Sequence, residues 1–428
     1  MSSLSVKPPF FGWYTVAATF VLAVFGWGVG FYGPPIYLQV VVERTGWSVA
    51  LVSAAVTLHF LIGAVVIANL PRLYRRLGVP VVTSLGAALL AAGVVGWAIA
   101  GEPWQLFSAA LLSGVGWVAM GAAAVNAIIS PWFVSSRPAA LSMAYNGASI
   151  GGVIFSPLWV ALILAIGFIK AAIVVGIVMA VAIFTLSIFV FSKSPAQLNQ
   201  FPDGIRPSAV PAAVTPPAAA ALPKGSLWRD RRFLTLAAGM AFGLFAQIGL
   251  LAHLFSLLVP AIGPQNAGLA MGGATVAAIA GRTVVGLVMP ASADRRLVAC
   301  ASYGVQIGGS LTFLIAGDAK VTLMIIGVIL FGAGIGNATS LPPLIAQVEF
   351  AKADVARVVP LIVAIGQASY SFAPAAFGAL RMMSPSGTPG FDGTMLFAAA
   401  SVVQGAAIAC FYWGGRRASG SCSTPDAL

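Results

Sequence analysis

Long apolar runs separated by short polar stretches dominate the chain. They fall at about 13–37, 47–70, 79–100, 105–129, 139–165 and 169–191, then at 233–260, 267–290, 297–316, 321–347, 357–380 and 391–413. Each approaches or exceeds the roughly 20 residues that a helix needs to cross a hydrocarbon core. None alternates every second residue as a barrel strand would. Backbone in lipid must satisfy its own polar groups, so such runs predict helices. The expected fold is all-α, a polytopic membrane protein of twelve transmembrane helices arranged as two six-helix pseudo-symmetric bundles.

Between the sixth and seventh runs lies a Pro- and Ala-rich stretch, "SKSPAQLNQFPDGIRPSAVPAAVTPPAAAALPKGSLWRDRR", that cannot bury a core. It reads as a linker. The expected organisation is therefore an N-terminal bundle over 1–192, a linker over 193–232 and a C-terminal bundle with a short tail over 233–428.

Composition agrees with this pattern: of 428 residues 60% are hydrophobic and 7% charged, which excludes a soluble domain of this size. The opening "MSSLSVKPPFFGW" leads into a long apolar run without a small-residue cleavage signal, so the first span is expected to be retained. Cys300 and Cys410 lie in apolar runs and Cys422 in the tail. Their scatter suggests no disulfide framework or thiolate metal site, and no metal or cofactor is expected.

The net charge of +12 does not point to nucleic acid, because the basic residues sort by loop. With the N-terminus cytoplasmic, Lys7, Arg72, Arg75, Arg76, Arg137, Lys193, Arg206, Lys224, Arg229, Arg231, Arg232, Arg295, Arg296, Lys352, Arg357, Arg416 and Arg417 fall inside, and Arg44, Lys170, Lys320 and Arg381 outside. That asymmetry predicts that both termini are cytoplasmic; the expected location is the plasma (inner) membrane. Arg282 is the one basic residue left over.

The halves echo each other at an offset of 220. Arg75-Arg76 pairs with Arg295-Arg296, Arg137 with Arg357, and "AS" at 148 with "AS" at 368. A duplicated six-helix unit with a long connecting segment is the layout of a transporter that rocks one half against the other around a midplane site.

These features resemble the major facilitator superfamily. Its loop signature after the second span, Gly-x-x-x-Asp-Arg-x-Gly, is partly matched by "PRLYRRLG" at 71–78, where Arg76 and Gly78 fit but Pro71 and Arg75 replace the first glycine and the aspartate. The second copy, "PASADRRL" at 290–297, keeps Asp294 and Arg295. The resemblance implies that Arg75, Arg76, Asp294 and Arg295 belong to conformational loops; with Arg75 at the aspartate position, the N-half latch is expected to differ or be absent. Within the superfamily, "PWFVSSRPAALSMAYNGASIGGVIFSPLW" at 131–159 resembles the monocarboxylate porter group. That group's carboxylate-binding arginine in the eighth span is matched by Arg282. The resemblance implies proton symport, although the acidic or amide residue one turn earlier is replaced here by Ala278.

Arg282 lies 13 residues before Arg295, roughly 20 Å along a helix at about 1.5 Å per residue. An arginine at that depth costs at least about 2.5–3.5 kcal/mol unless it meets water or a partner. None of the ten acidic residues falls in the middle of a span: Glu43, Glu102, Asp318 and Asp392 are toward the outside, and Asp203, Asp230, Asp294, Glu349, Asp354 and Asp426 toward the inside. The expected partner is then the substrate, since guanidinium forks match carboxylates; a structural ion pair is the competing reading.

Other polar groups mark candidate binding positions. His59, central in the second span, stands at the repeat equivalent of 279, three residues from Arg282, and carries a coupling proton, hydrogen-bonds the substrate or is satisfied by a neighbouring carbonyl. His253 and Gln247 in the seventh span, Asn126 in the fourth, Tyr145 and Asn146 in the fifth, and Gln367 and Tyr370 on one face of the eleventh complete the set. Asn337 is a further polar group in the tenth span, and interhelical hydrogen bonding explains any one of these equally well. Tyr37 is expected in the interfacial belt and Tyr32 in the belt or a gate. Pro34-Pro35 and Pro342-Pro343 predict bends.

Together these point to a secondary transporter, not an enzyme, moving a small organic anion such as a monocarboxylate by alternating access, as a monomer in the lipid bilayer. A carrier of a neutral or heteroaromatic metabolite, vitamin or drug is the alternative. A non-transporting sensor or scaffold is the reading from another class.

Overall fold

A computed structural model describes residues 10–205, 227–290, 292–316, 320–383 and 393–415. Lys7, Arg206, Lys224, Asp318, Asp392, Arg416, Arg417, Cys422, Asp426 and the middle of the linker lie outside the described residues.

The described residues form helices and no strands. In order these are α1 (Gly12–Gly30), α2 (Pro34–Thr45), α3 (Val49–Leu77), α4 (Val79–Ile99), α5 (Pro103–Ala119), α6 (Ala122–Ile129), α7 (Arg137–Ile166), α8 (Phe168–Leu186, continued by a π turn), α9 (Arg231–Val288), α10 (Arg295–Ala316), α11 (Val321–Ile335), α12 (Leu341–Glu349), α13 (Lys352–Ser371), α14 (Ala373–Met382) and α15 (Thr394–Gly415). Ten helical runs among the described residues are long and apolar enough to cross a membrane. The chain is an integral, multi-pass membrane protein.

Local chemistry sets where helices stop. Gly78, Gly167 and Gly263 each take φ of 76° to 80° with extended ψ, a conformation that a Cβ disfavours. The first two separate α3 from α4 and α7 from α8; the third divides the 58-residue α9 into halves 231–262 and 264–288, the seventh and eighth expected spans. The proline pairs give full breaks where the sequence predicted bends. Pro34 and Pro35 open α2, and Pro342 stands in the first turn of α12, where a missing N–H is harmless.

The 220-residue echo reappears in the element bounds. Shifting α6 by 220 lays it on α12 within about a residue, and each follows a break in its span. The first span departs from its copy: the chain breaks at Phe31–Gly33, while α9 runs unbroken through 251–253.

α1 packs on α7, α3 on α5, and α4 on α5 and α8; α9 packs on α11, α13 and α15, and α10 on α11 and α15. Missing side chains bring some of these pairs close: a Cβ on Gly93 would meet Ser113 at 2.6 Å, and one on Gly309 would meet the Phe331 backbone at 2.6 Å. Among the described residues, the helix pairs that join the two copies include α2 with α9, α3 with α13 and α14, and α7 with α9. Thr57 Oγ1 accepts the Ala375 N–H at 3.0 Å, Ser53 lies beside Gly378, and Val160 and Pro157 lie beside Gly268 and Gly272. These sit toward the end opposite Arg75, Arg76, Arg137, Arg295 and Arg296, which share what we term the basic end.

Tyr37 departs from its expected belt position. It is 1% exposed, donates its hydroxyl to Val29 O at 3.1 Å and packs edge-on to Trp159, because the break after α1 turns α2 inward.

Candidate substrate cavity

A cavity of about 620 Å³ lies between the two copies, on the basic side of their contacts. Arg282 lines it, with Tyr145, Asn146 and Gln247 from the sequence-expected set. A smaller adjoining cavity of about 200 Å³ shares Trp27, Phe31 and Gln247 and adds Gln367, Tyr370 and Trp117. The fold thus brings six of the nine expected residues to one connected space.

Arg282 is held by its backbone. Thr275, Ala278 and Arg282, spaced as one helical face, all line the cavity. Gly336, at the break before α12, packs against the Ala278 carbonyl, where an added Cβ would also stand 3.1 Å from Arg282 Cβ. Gly281 faces the opposite way, onto the Ala333 backbone of α11, and serves packing. The Arg282 side chain is exposed to the cavity and makes no ion pair among the described residues, where the salt bridges are Arg232–Asp230 and Arg296–Glu349. Among the described residues, no Asp, Glu or His lines the cavity. Tyr32, at the α1/α2 break, lies over Gly152 and lines the cavity, so it faces inward and not into an interfacial belt.

Three expected residues lie off the cavity. His59 is 1% exposed; its Nε2 is 2.8 Å from Gly30 O and its Nδ1 2.8 Å from Ser113 Oγ. A carbonyl can only accept, so Nε2 carries the proton and the ring ties α3 to α1 and α5. Trp117 stacks on that ring at 5.7 Å, standing between it and the smaller cavity. His253 is fully buried, with Nε2 3.0 Å from Pro374 O, among the contacts that close the far end. Asn126 stands one step back: its Nδ2 donates to the Tyr145 hydroxyl at 2.7 Å and to Ala122 O, holding Tyr145 in the wall. Asn337 is buried beside α9 and α10, apart from the cavity.

The conformational-loop residues divide. Arg75 and Arg76 are exposed. In the second copy, Asp294 Oδ1 accepts the Arg296 N–H at 2.8 Å, Arg295 donates to Leu344 O, and the buried Arg296 grips Glu349 through both carboxylate oxygens. The repeat partner of Glu349 is Ile129, so the first copy has no carboxylate at that position for Arg76.

Sequence reasoning passed over Trp27, Phe31, Trp117, Thr275 and Thr339, which also form the walls. One signal for them exists: at the 220 offset, Trp27 and Phe31 stand where Gln247 and Leu251 stand in the second copy, and all four line the cavity.

The chain matches the Major Facilitator Superfamily over residues 16–374. It belongs to that superfamily of membrane transporters. Among solved structures it is similar to a bacterial homolog of the human lysosomal transporter Spinster in an inward-facing, unoccupied conformation (14% identity, 95% of each chain, TM-score 0.64). It is also similar to a mutant of the nucleoside transporter NupG (11% identity, 94% of this chain and 98% of that one, TM-score 0.69). Both likenesses concern the fold. No curated protein matches the sequence significantly.

Proposed function

We propose that this transporter moves a small organic anion, a monocarboxylate, by alternating access between two six-helix halves, with the basic end and both termini cytoplasmic. One observation carries the reading: Arg282 lines a cavity with no acidic residue among the described residues of its lining. A guanidinium in a partly dehydrated space favours an anion, and a carboxylate fits its fork. Gln247, Asn146 and Tyr145 supply neutral hydrogen bonds, with Gln367 and Tyr370 at the adjoining space. The loss of an acidic residue at Ala278, and the placement of both histidines off the cavity, leave no side-chain proton carrier in the lining. A coupling proton would then travel with the substrate acid itself.

The aromatic wall supports a second reading, a neutral heteroaromatic substrate with Arg282 bonding a carbonyl.

Binding of carboxylates and of their amides to purified wild type and Arg282→Gln separates the two. Under the anion reading, wild type binds the acid over the amide, and the variant loses about 10- to 100-fold of acid affinity, the worth of a charge-assisted hydrogen bond. Equal binding of acid and amide, unchanged in the variant, overturns it. Uptake into proteoliposomes with and without an imposed pH gradient tests the coupling.

A further inference from the structure

The two walls of the cavity differ in chemistry. On the first copy's side two groups of rings stand beside Ser142, Asn146 and Ser149. Phe31 touches Tyr32 at 5.1 Å and Trp117 at 6.1 Å with planes 30° apart, and Trp27 meets Tyr145 edge-on at 6.2 Å. The second copy's side presents Gln247, Thr275, Thr339 and Arg282. Trp27 and Gln247 occupy equivalent repeat positions, so a duplicated position has become a flat apolar face in one half and an amide in the other.

Gln247 adds a second constraint. It is 5% exposed, and its buried Oε1 has no hydrogen-bond partner among the described residues although the residue lines both cavities. A buried acceptor without a donor is unfavourable, and a donor on a bound molecule would satisfy it.

We infer that the substrate is a planar aromatic monocarboxylate with an N–H or O–H on its ring. The carboxylate meets Arg282, the ring lies along Trp27 and Phe31, and the ring donor reaches Gln247 Oε1. This rests on the anion reading of Arg282. A short aliphatic acid would satisfy the guanidinium and leave the rings and the amide unused. An amino acid would bring an ammonium group to a lining without a carboxylate. A volume of about 620 Å³ falls in the range that holds organic ligands of one or more rings.

The test is calorimetric titration of the full-length protein in nanodiscs with 4-hydroxybenzoate, indole-3-acetate, benzoate, cyclohexanecarboxylate, acetate and 4-hydroxybenzamide. Benzoate is expected to bind about 10-fold more tightly than cyclohexanecarboxylate, the scale of one or two aromatic contacts. The two acids with ring donors are expected to exceed benzoate by several-fold. Trp27→Leu should erase the first preference, and Gln247→Leu the second. Each readout is a ratio between ligands on one preparation, so partial misfolding does not imitate it. If acids bind through Arg282 without an aromatic preference, or keep both preferences in the two variants, this inference is overturned and the anion reading stands. If no acid binds, or 4-hydroxybenzamide binds as well as 4-hydroxybenzoate in wild type and in Arg282→Gln, both fall together.

Discussion

The Nε2 of His59 lies 2.8 Å from the carbonyl oxygen of Gly30, the last residue of α1. It caps the helix end that delivers Phe31 and Tyr32 to the cavity, so the histidine acts as a structural donor. His59→Leu leaves a buried carbonyl unpaired and should cost ~1–3 kcal/mol, read as a lowered thermal midpoint in detergent. His59→Gln, whose amide can make the same donation, should recover most of that loss and leave the pH profile of transport unchanged. A shifted pH profile in His59→Gln would restore the proton-carrier role.

Thr57 caps α14 from the other half of the molecule through the Ala375 N–H. Thr57→Val keeps the shape and removes the acceptor. Loss of a cap is worth ~1 kcal/mol, about a fivefold shift in a two-state equilibrium. Spin labels at positions 102 and 320 in a cysteine-free background should report a several-fold larger population of long distances. An unchanged distribution would show that the cap does not hold the far end closed.

The buried Arg296–Glu349 pair has no counterpart in the first copy. Glu349→Gln strands a guanidinium that is 1% exposed, at a cost of ~3–5 kcal/mol. Arg76→Ala, at the equivalent exposed position, should change stability by no more than about 0.5 kcal/mol. Thermal unfolding of the two variants side by side checks the contrast; equal effects would contradict it.

Asp203 fastens the start of the linker to the turn before α7. Its carboxylate accepts the N–H groups of Val134, Ser135 and Ser136 at 2.9 to 3.1 Å, and its own N–H donates to Trp132 O. Slight desolvation raises its pKa, but these donors outweigh it and hold the group at about 2. A depressed carboxylate stabilises fully above its ordinary value of 3.8 and loses that contribution as pH falls toward about 2. Pepsin cleavage near 199–205 should therefore rise in wild type over that window. In Asp203→Ala it should be high throughout, and a pH-independent difference would point to another anchor.

The membrane class, the approximate positions of the apolar helices and the bends at the proline pairs were legible in the sequence, because each follows from local chemistry. A run of apolar residues can satisfy its backbone only as a helix, and a proline pair disturbs it because two N–H donors are missing together; the breaks at Gly78, Gly167 and Gly263 show only in the folded chain. Arg282 stood out as a candidate for a related reason: the cost of a cation within a span depends on depth, which the count to Arg295 supplies. The facing of neutral polar groups was not legible. Both sides of a membrane helix are apolar, so no hydropathy contrast shows whether His59 turns to the cavity or to Gly30 and Ser113, or whether Tyr37 meets lipid or Trp159. Nor does a tryptophan in an apolar run disclose that it is a cavity wall, as Trp27 and Trp117 are. Those choices were made by the packing of one helix against the next, which close glycine contacts and the break at Phe31–Gly33 fix only once the chain is folded.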